Sequence, residues 1–165
     1  MMGFIPPDSQ AGTGAPGSGS LPAAAEQAAP SEAVAAVPPS ATGELILLVE
    51  DETAIRLTTR KILVRRGFRV VEAADGQEAL VRYKEYGKEI GVVITDLIMP
   101  VMDGPSFIRE LRKISRTVPV VIMSGRFERV RFSPEEIADV QGFLVKPFTL
   151  EEFYGCLDRV LHPGS

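Results

Sequence analysis

The sequence predicts an α/β fold: a doubly wound parallel sheet of five strands, formed by the part of the chain that follows residue 43. Five short apolar runs alternate with stretches of helical periodicity, and short connections join them. This alternation is typical of parallel strands whose connecting helices cover both faces of a sheet. Right-handed crossovers leave few topologies. We expect the strand order 2-1-3-4-5, in which the ligand crevice lies between the first and third strands.

Residues 1–43 differ sharply in composition from the rest of the chain. They are rich in Ala, Pro, Gly and Ser and contain no Lys or Arg. Such a segment offers too little apolar surface to offset the entropy lost on ordering. We therefore expect a disordered N-terminal tail or linker at 1–43, a folded domain at 44–162 and a C-terminal tail at 163–165.

The composition of the folded part gives no indication of a nucleic-acid or membrane partner. It contains all 18 Lys and Arg residues of the chain and is still slightly acidic, unlike a typical nucleic-acid-binding domain. No apolar run approaches the roughly 18 residues of a membrane span, and the N-terminus lacks the pattern of a signal peptide. Cys156 is the only cysteine, so no internal disulfide is possible. These features predict a cytoplasmic location.

The first half of the domain supplies two strands and two helices. Leu45–Val49 is continuously apolar, which predicts a strand buried on both faces. A helix is predicted over about 53–66, followed by a second strand over 68–73. The second helix is predicted over about 76–86, because the Asp75 side chain can accept hydrogen bonds from its first turn.

The second half continues the same alternation. Asp103 is expected to cap the third helix, and helical spacing predicts a buried face that extends to Ile114. Pro134 suits the first turn of the fourth helix, but the sequence leaves room for only a short helix there. We predict strands over 92–95, 118–123 and 142–145, a fourth helix over 134 to about 140, and a last helix over about 150–161.

Polar residues of different chemistry follow four of the predicted strands. Glu50 and Asp51 follow the first strand, and Asp96 follows the third. Ser124 and Lys146 follow the fourth and fifth strands. Because the carboxyl ends of parallel strands meet at one edge of the sheet, these residues are expected to converge. An acidic cluster with one lysine and one hydroxyl suits a hard cation, a carboxylate nucleophile and a phosphoryl group.

Four ordered motifs resemble the receiver domain of two-component response regulators. The motifs are Ile46–Glu52, Thr95–Gly104, Met123–Gly125 and Val145–Phe148. The resemblance covers about 44–162, essentially the whole folded part. It implies a flavodoxin-like (CheY-like) fold, a phosphoprotein of signal transduction, and the strand order already expected for a sheet of this kind.

The resemblance implies that Asp96 is the phosphoacceptor of a Mg²⁺-dependent reaction. A carboxylate that attacks phosphorus forms an aspartyl phosphate. Asp51 and Asp96 resemble the family's direct Mg²⁺ ligands, Glu50 resembles a further ligand, and the Ile98 backbone carbonyl completes the set. Mn²⁺ is expected to substitute for Mg²⁺. Many relatives carry Asp at the position of Glu50, so its longer side chain is expected to alter the metal geometry. A second interpretation is that Asp51 caps the start of the helix that follows the first strand.

Further roles implied by the resemblance fall on Lys146, Ser124 and Phe143. Lys146 and Ser124 correspond to the groups that stabilise the phosphoryl group. Ser124 and Phe143 correspond to the pair that switches a protein-interaction surface on phosphorylation. The family's lysine–proline bond is cis, which here is the bond to Pro147. Simple packing in the core remains an alternative for Phe143.

The expected partners are a histidine kinase or a histidine phosphotransfer protein, and a downstream protein that the sequence does not identify. The domain can be a stand-alone regulator or the receiver of a hybrid histidine kinase. We expect no turnover of an external substrate. One alternative is a phosphohydrolase with an aspartyl nucleophile, but Ile98 occupies the position of the acid/base aspartate of such enzymes and cannot transfer protons. The other is a degenerate receiver that acts only as an interaction module.

Overall fold

The computed structural model describes residues 43–125 and 132–164. The N-terminal tail predicted at 1–43 therefore lies outside the described residues except for Gly43. The last residue of the tail predicted at 163–165 also lies outside them. Among the described residues, no helix is both long and apolar enough to cross a membrane.

Five parallel strands form one sheet in the order β2-β1-β3-β4-β5, which confirms the predicted topology. Helices connect successive strands, and a 3-10 turn at Gly87–Glu89 precedes the third strand. The strands are β1 Leu45–Val49, β2 Arg69–Ala73, β3 Ile90–Thr95, β4 Val120–Ser124 and β5 Gly142–Val145. The helices are α1 Thr53–Arg65, α2 Gly76–Tyr86, α3 Gly104–Ile114, α4 Pro134–Ala138 and α5 Leu150–Leu161.

The sheet separates two apolar cores. Successive residues of a strand point to opposite faces, so Leu47 packs with Phe107 in one core while Leu48 packs with Phe153 in the other. All five residues of β1 are buried, as their continuous apolar run predicts. Because β1 is an interior strand beside β3, the residues that follow β1 lie next to those that follow β3 at one edge of the sheet.

Side-chain caps fix the starts of four helices. The Asp75 carboxylate accepts hydrogen bonds from the first turn of α2, and Asp103 does the same for α3. Complete capping boxes start α4 at Ser133 and α5 at Thr149. Helix α4 has five residues, so the prediction of a short fourth helix is confirmed.

The prediction that Ile114 is buried is wrong. Its side chain is 46% exposed, whereas Phe107 and Leu111 of the same helix are fully buried. Ile114 is the last residue of α3. It lines an open cleft between the ends of α2 and α3. Helical periodicity alone does not show which residues at the end of a helix stay covered.

Val101 is a β-branched residue in the left-handed region of backbone conformation. Its φ is 67°, and its side chain is 76% exposed. Left-handed backbone costs L-residues roughly 1–2 kcal/mol, and asparagine tolerates it better than valine. We expect Val101→Asn to raise the free energy of unfolding by about 1 kcal/mol and the melting temperature by about 4 °C.

Urea and thermal unfolding, followed by circular dichroism, measure this difference. Val64→Asn is the matched control, because Val64 is also exposed but lies in the regular helix α1. The control should not stabilise the domain, since asparagine has no helical advantage over valine. Equal effects of the two substitutions would contradict the assignment of strain to Val101.

Candidate functional site

The carboxyl ends of β1, β3, β4 and β5 meet at one edge of the sheet around a cleft of about 370 Å³. The backbone N–H of Asp96 donates to the carbonyl of Val49 over 3.0 Å, so the end of β3 is held beside the end of β1. Six of the seven predicted site residues line this cleft: Glu50, Asp51, Asp96, Ile98, Ser124 and Lys146.

Three carboxylates from two strand ends form a compact acidic cluster. One oxygen each from Glu50, Asp51 and Asp96 lies within 4.8 Å of the other two. Glu50 is buried, Asp96 is partly buried and Asp51 is exposed. Carboxylates at this separation repel one another, and Mg²⁺ prefers such hard oxygen ligands. The donor set therefore fits a small divalent cation.

Lys146 connects the acidic cluster to the end of β5. Its Nζ donates to Glu50 Oε2 over 2.9 Å and to Asp96 Oδ2 over 3.1 Å. Burial of the ammonium acts to lower its pKa, but the hydrogen bonds and charges of Glu50 and Asp96 outweigh burial and raise the pKa. Lys146 therefore stays protonated at neutral pH and occupies one oxygen of each carboxylate.

Glu50 is an almost fully buried carboxylate, with 1% of its surface exposed. Burial raises its pKa above the ordinary value, although the hydrogen bond and charge of Lys146 and the backbone N–H of Glu52 oppose that rise. The Glu52 N–H donates to Glu50 Oε1 over 3.1 Å. Both oxygens of Glu50 are thus positioned, and the side chain points into the cleft rather than away from the sheet.

The raised pKa of Glu50 predicts a pH-dependent response to Mg²⁺. A carboxyl group whose pKa is raised by folding favours the folded state at low pH, and this contribution is lost as the pH rises from about 4.5 through the folded pKa. Mg²⁺ must compete with that proton. We expect MgCl₂ to raise the melting temperature at pH 7.5 and to raise it by less at pH 5.

Thermal unfolding at the two pH values, with NaCl at matched ionic strength as the control, measures this response. Lys146 does not contribute in this range, because its pKa is raised from an already high value. An equal or larger Mg²⁺-dependent shift at pH 5 would contradict competition between Mg²⁺ and a proton on Glu50 over this pH range.

Local backbone contacts orient Asp96. Its Oδ1 accepts a hydrogen bond from the Leu97 N–H, while Oδ2 accepts from Lys146. Gly104 packs directly behind it: a Cβ at Gly104 would lie 2.5 Å from the Asp96 carbonyl oxygen and 2.9 Å from Leu97 Cα. Glycine at 104 therefore allows the loop after β3 to fold back against the strand end.

Ser124 and Ile98 complete the wall of the cleft. Ser124 ends β4 with its side chain buried, and its carbonyl accepts from the Lys146 N–H over 3.0 Å. This bond holds the ends of β4 and β5 together. The Lys146–Pro147 bond that follows is cis, as the family resemblance implies. Ile98 is 44% exposed at the rim and carries no ionisable group.

Phe143 lies apart from the cleft. Its side chain is 42% exposed, so the alternative that it simply packs in the core is wrong. It lines a separate groove of about 550 Å³ with Val145 of β5 and with residues of α5 that include Glu152 and Arg159. A role for Phe143 in switching would therefore require a link along β5 to Lys146.

Arg56 is a residue near the site that inspection of the sequence alone misses. Its guanidinium donates to the backbone carbonyl of Glu50 over 2.7 Å. Asp51 and Arg56 are five residues apart in a polar helix start, where an arginine is ordinarily part of a solvated face. The signal available in the sequence was therefore too weak to select Arg56 from the other basic residues of the domain.

Comparisons with known proteins agree on one family. The family profile of the response regulator receiver domain matches residues 46–158. The sensor kinase CckA of Brucella abortus is 42% identical over 117 residues, which cover 70% of this chain but only 12% of that protein. The chain thus spans a small part of the length of that relative.

Two solved structures are similar over the whole domain. The receiver domain of the hybrid histidine kinase CckA has a TM-score of 0.61 and 36% identity, with 72% of this chain and 99% of that chain covered. The receiver domain of the sensor histidine kinase PA1611 of Pseudomonas aeruginosa has a TM-score of 0.63 and 28% identity, with 72% and 98% covered. The PA1611 receiver has a magnesium ion coordinated in its active-site cleft.

Proposed function

The chain belongs to the response regulator receiver family, a family of signalling modules in two-component systems, and from this premise we propose that it is the phosphoacceptor of a phosphorelay. Asp96 is the proposed acceptor. The observation that carries this proposal is the pair of hydrogen bonds from Lys146 to Glu50 and Asp96 beside the exposed Asp51. This arrangement brings the Asp96 nucleophile, the Lys146 ammonium and a set of carboxylate donors for a divalent metal into one cleft.

The donor set is proposed to hold Mg²⁺ through Asp51, Asp96 and the Ile98 backbone carbonyl, with Glu50 assisting. Mn²⁺ offers similar coordination to oxygen ligands and should substitute. When bound, the metal supplies positive charge that offsets repulsion between the carboxylates and an incoming phosphoryl group. The magnesium ion in the PA1611 receiver supports this assignment.

The proposed reaction transfers a phosphoryl group from a phosphohistidine to Asp96. A carboxylate oxygen of Asp96 forms a bond to phosphorus while the P–N bond of the donor breaks. The electron pair of that bond returns to the imidazole nitrogen. An imidazole that is protonated on its other nitrogen leaves as the neutral ring, so no further proton is needed. The product is an acyl phosphate on Asp96.

Lys146 and Ser124 are proposed to hold the transferred phosphoryl group. Lys146 already donates to Asp96 Oδ2, and its ammonium can pass from the carboxylate to a phosphoryl oxygen without moving to a new part of the cleft. Ser124 lies at the end of the neighbouring strand and offers a hydroxyl donor. Donors fixed in place before the reaction stabilise charge at little reorganisation cost.

Phosphorylation is proposed to alter the surface around α4, β5 and α5, with Ser124 and Phe143 as the switching pair. Ser124 and Val145 are register partners in the sheet, and Phe143 pairs with Ile122 two residues earlier. A movement at the strand ends can thus reach the exposed Phe143 along β5. A shift between two populations of this surface would recruit or release a downstream protein.

The cellular setting is proposed from the relatives. The similarity to the CckA receiver favours a receiver of a hybrid kinase at 44–162, preceded by a linker at 1–43 and followed by a short tail at 163–165. A stand-alone regulator remains the alternative. The phosphoryl donor is then a histidine kinase or a histidine phosphotransfer protein in the cytoplasm, and the domain turns over no external substrate.

Incubation with a small acyl-phosphate donor and Mg²⁺, read by intact mass, tests the proposed function. The parent should gain the mass of one phosphoryl group, and neither Asp96→Asn nor an EDTA-treated sample should gain it. Steady release of phosphate from simple phosphate esters would favour the phosphohydrolase. A sample that binds a kinase but never gains mass would favour a degenerate receiver.

A further inference from the structure

The start of α1 differs from the starts of the other helices in the described residues. Asp75, Asp103, Ser133 and Thr149 each cap a helix with a side-chain hydrogen bond. The N-cap of α1 is Glu52, and it forms no side-chain cap hydrogen bond. The loop that carries Glu50 and Asp51 therefore enters α1 without a capping side chain, and its local side-chain bond is the one from the Glu52 N–H to Glu50 Oε1.

Arg56 supplies contacts to this loop from the first turns of α1. Its Nη1 donates to the Glu50 carbonyl over 2.7 Å and lies 3.4 Å from the Asp51 carbonyl. Nη2 lies 3.4 Å from Thr53 Oγ1. Only 16% of the Arg56 side chain is exposed. A rigid guanidinium with several donors suits simultaneous contact with two successive carbonyls.

Glu72 anchors the guanidinium from β2. Its Oε1 lies 3.5 Å from Arg56 Nε, and its Oε2 lies 3.0 Å from Arg60 Nε. Glu72 is the register partner of Leu48 in the neighbouring strand β1. Arg56 thus links the β1–α1 loop to the sheet, whereas Arg60 shares the same acid and, among the described residues, forms no hydrogen bond with the loop.

We propose that Arg56 is a positioning residue that holds the β1–α1 loop in the conformation in which Glu50 and Asp51 present oxygens to a divalent cation. This inference rests on the metal site of the proposed function. Arg56 donates to backbone carbonyls, so the carboxylate oxygens stay available to the cation. The fixed loop lowers the ordering cost of binding, because the two ligands need no search for their positions.

Titration calorimetry with Mg²⁺ on the full chain tests this role. Arg56→Met keeps much of the side-chain volume and removes the donors. We expect it to weaken Mg²⁺ binding about tenfold, the range typical of groups that orient metal ligands. Arg60→Met is the matched control, since it removes a cation from the same acid but no contact to the loop. It should bind Mg²⁺ within about twofold of the parent.

The direction of the change in Mg²⁺ affinity of Arg56→Met distinguishes a positioning role from the effect of a nearby positive charge. If Arg56 acted mainly as a nearby positive charge, Arg56→Met would bind Mg²⁺ more tightly than the parent, because cations repel. Tighter or unchanged binding in Arg56→Met would overturn the proposal. Equal losses in Arg56→Met and Arg60→Met would do the same.

Hydrogen exchange of the metal-free protein gives a second readout that needs neither metal nor phosphoryl transfer. The amides of residues 50–54 should exchange faster in Arg56→Met than in the parent, while the amides of α5 should not change. Equal protection of 50–54 in both proteins would overturn the positioning role. Failure of the proposed function would give a different result. The parent would still bind Mg²⁺ and its loop amides would still exchange slowly, but it would gain no phosphoryl group.

Discussion

Replacement of Lys146 by methionine is expected to slow phosphoryl transfer to Asp96 by about 100-fold and to tighten Mg²⁺ binding. Loss of one fixed hydrogen-bond donor at the site of developing charge typically reduces the rate by about 10²–10³. Binding should change in the opposite direction, because the ammonium is hydrogen bonded to Glu50 and Asp96 and competes with the metal for their oxygens. These opposite signs separate a role in the reaction from general damage to the site.

Intact-mass time courses at saturating Mg²⁺ measure the transfer rate, and titration calorimetry measures the metal affinity. Lys113→Met is the control: it removes the same charge from an exposed ion pair with Glu110, outside the cleft. It should leave both quantities within about twofold. Transfer at the parental rate in Lys146→Met would remove Lys146 from the mechanism. Weaker Mg²⁺ binding would show that Lys146 organises the acids rather than competing with the metal.

Asp51→Asn is expected to weaken Mg²⁺ binding by roughly 30-fold, equivalent to about 2 kcal/mol, and at the same time to stabilise the metal-free domain. Asp51 is the exposed member of the acidic cluster, so it contributes a ligand and repulsion together. The amide keeps the shape of the side chain and removes the charge. Repulsion with Glu50 and Asp96 then falls, and the metal loses a charged oxygen.

Thermal unfolding in EDTA and in MgCl₂ tests both parts of this expectation. In EDTA the melting temperature of Asp51→Asn should exceed that of the parent, and MgCl₂ should shift it much less. Asp139→Asn is the control, because Asp139 lies beside α4 and forms its ion pair with Arg112. The structure does not support helix capping by Asp51, because the N-cap of α1 is Glu52 and no side chain caps that helix. Equal Mg²⁺ shifts in Asp51→Asn and the parent would mean that Asp51 is not a metal ligand.

The strands and the strand ends were predictable from the sequence because they depend on simple patterns. An uninterrupted apolar run such as Leu45–Val49 is typical of a strand that is buried on both faces in the interior of a parallel sheet. Once β1 and β3 are central neighbours, Asp51 and Asp96 must share one edge of the sheet. The convergence of the acidic residues follows from topology and not from any single motif.

Other features depend on distances that no sequence pattern contains. Helical spacing predicted a buried Ile114, but Ile114 is the last residue of α3 and is 46% exposed. Arg56 and Glu72 lie on different elements, and their meeting depends on the angle of α1 over β2. The left-handed backbone of Val101 could not be predicted, because β-branched residues rarely adopt positive φ.

Chemical trapping of the phosphorylated domain tests the central claim most directly. Borohydride reduces an acyl phosphate on aspartate to homoserine, and peptide mass spectrometry then locates the modified residue. We expect homoserine at position 96, only in samples that received both Mg²⁺ and a phosphoryl donor. Homoserine at position 51, or a phosphorylated domain with Asp96 unmodified, would contradict the assignment of Asp96 as the phosphoacceptor.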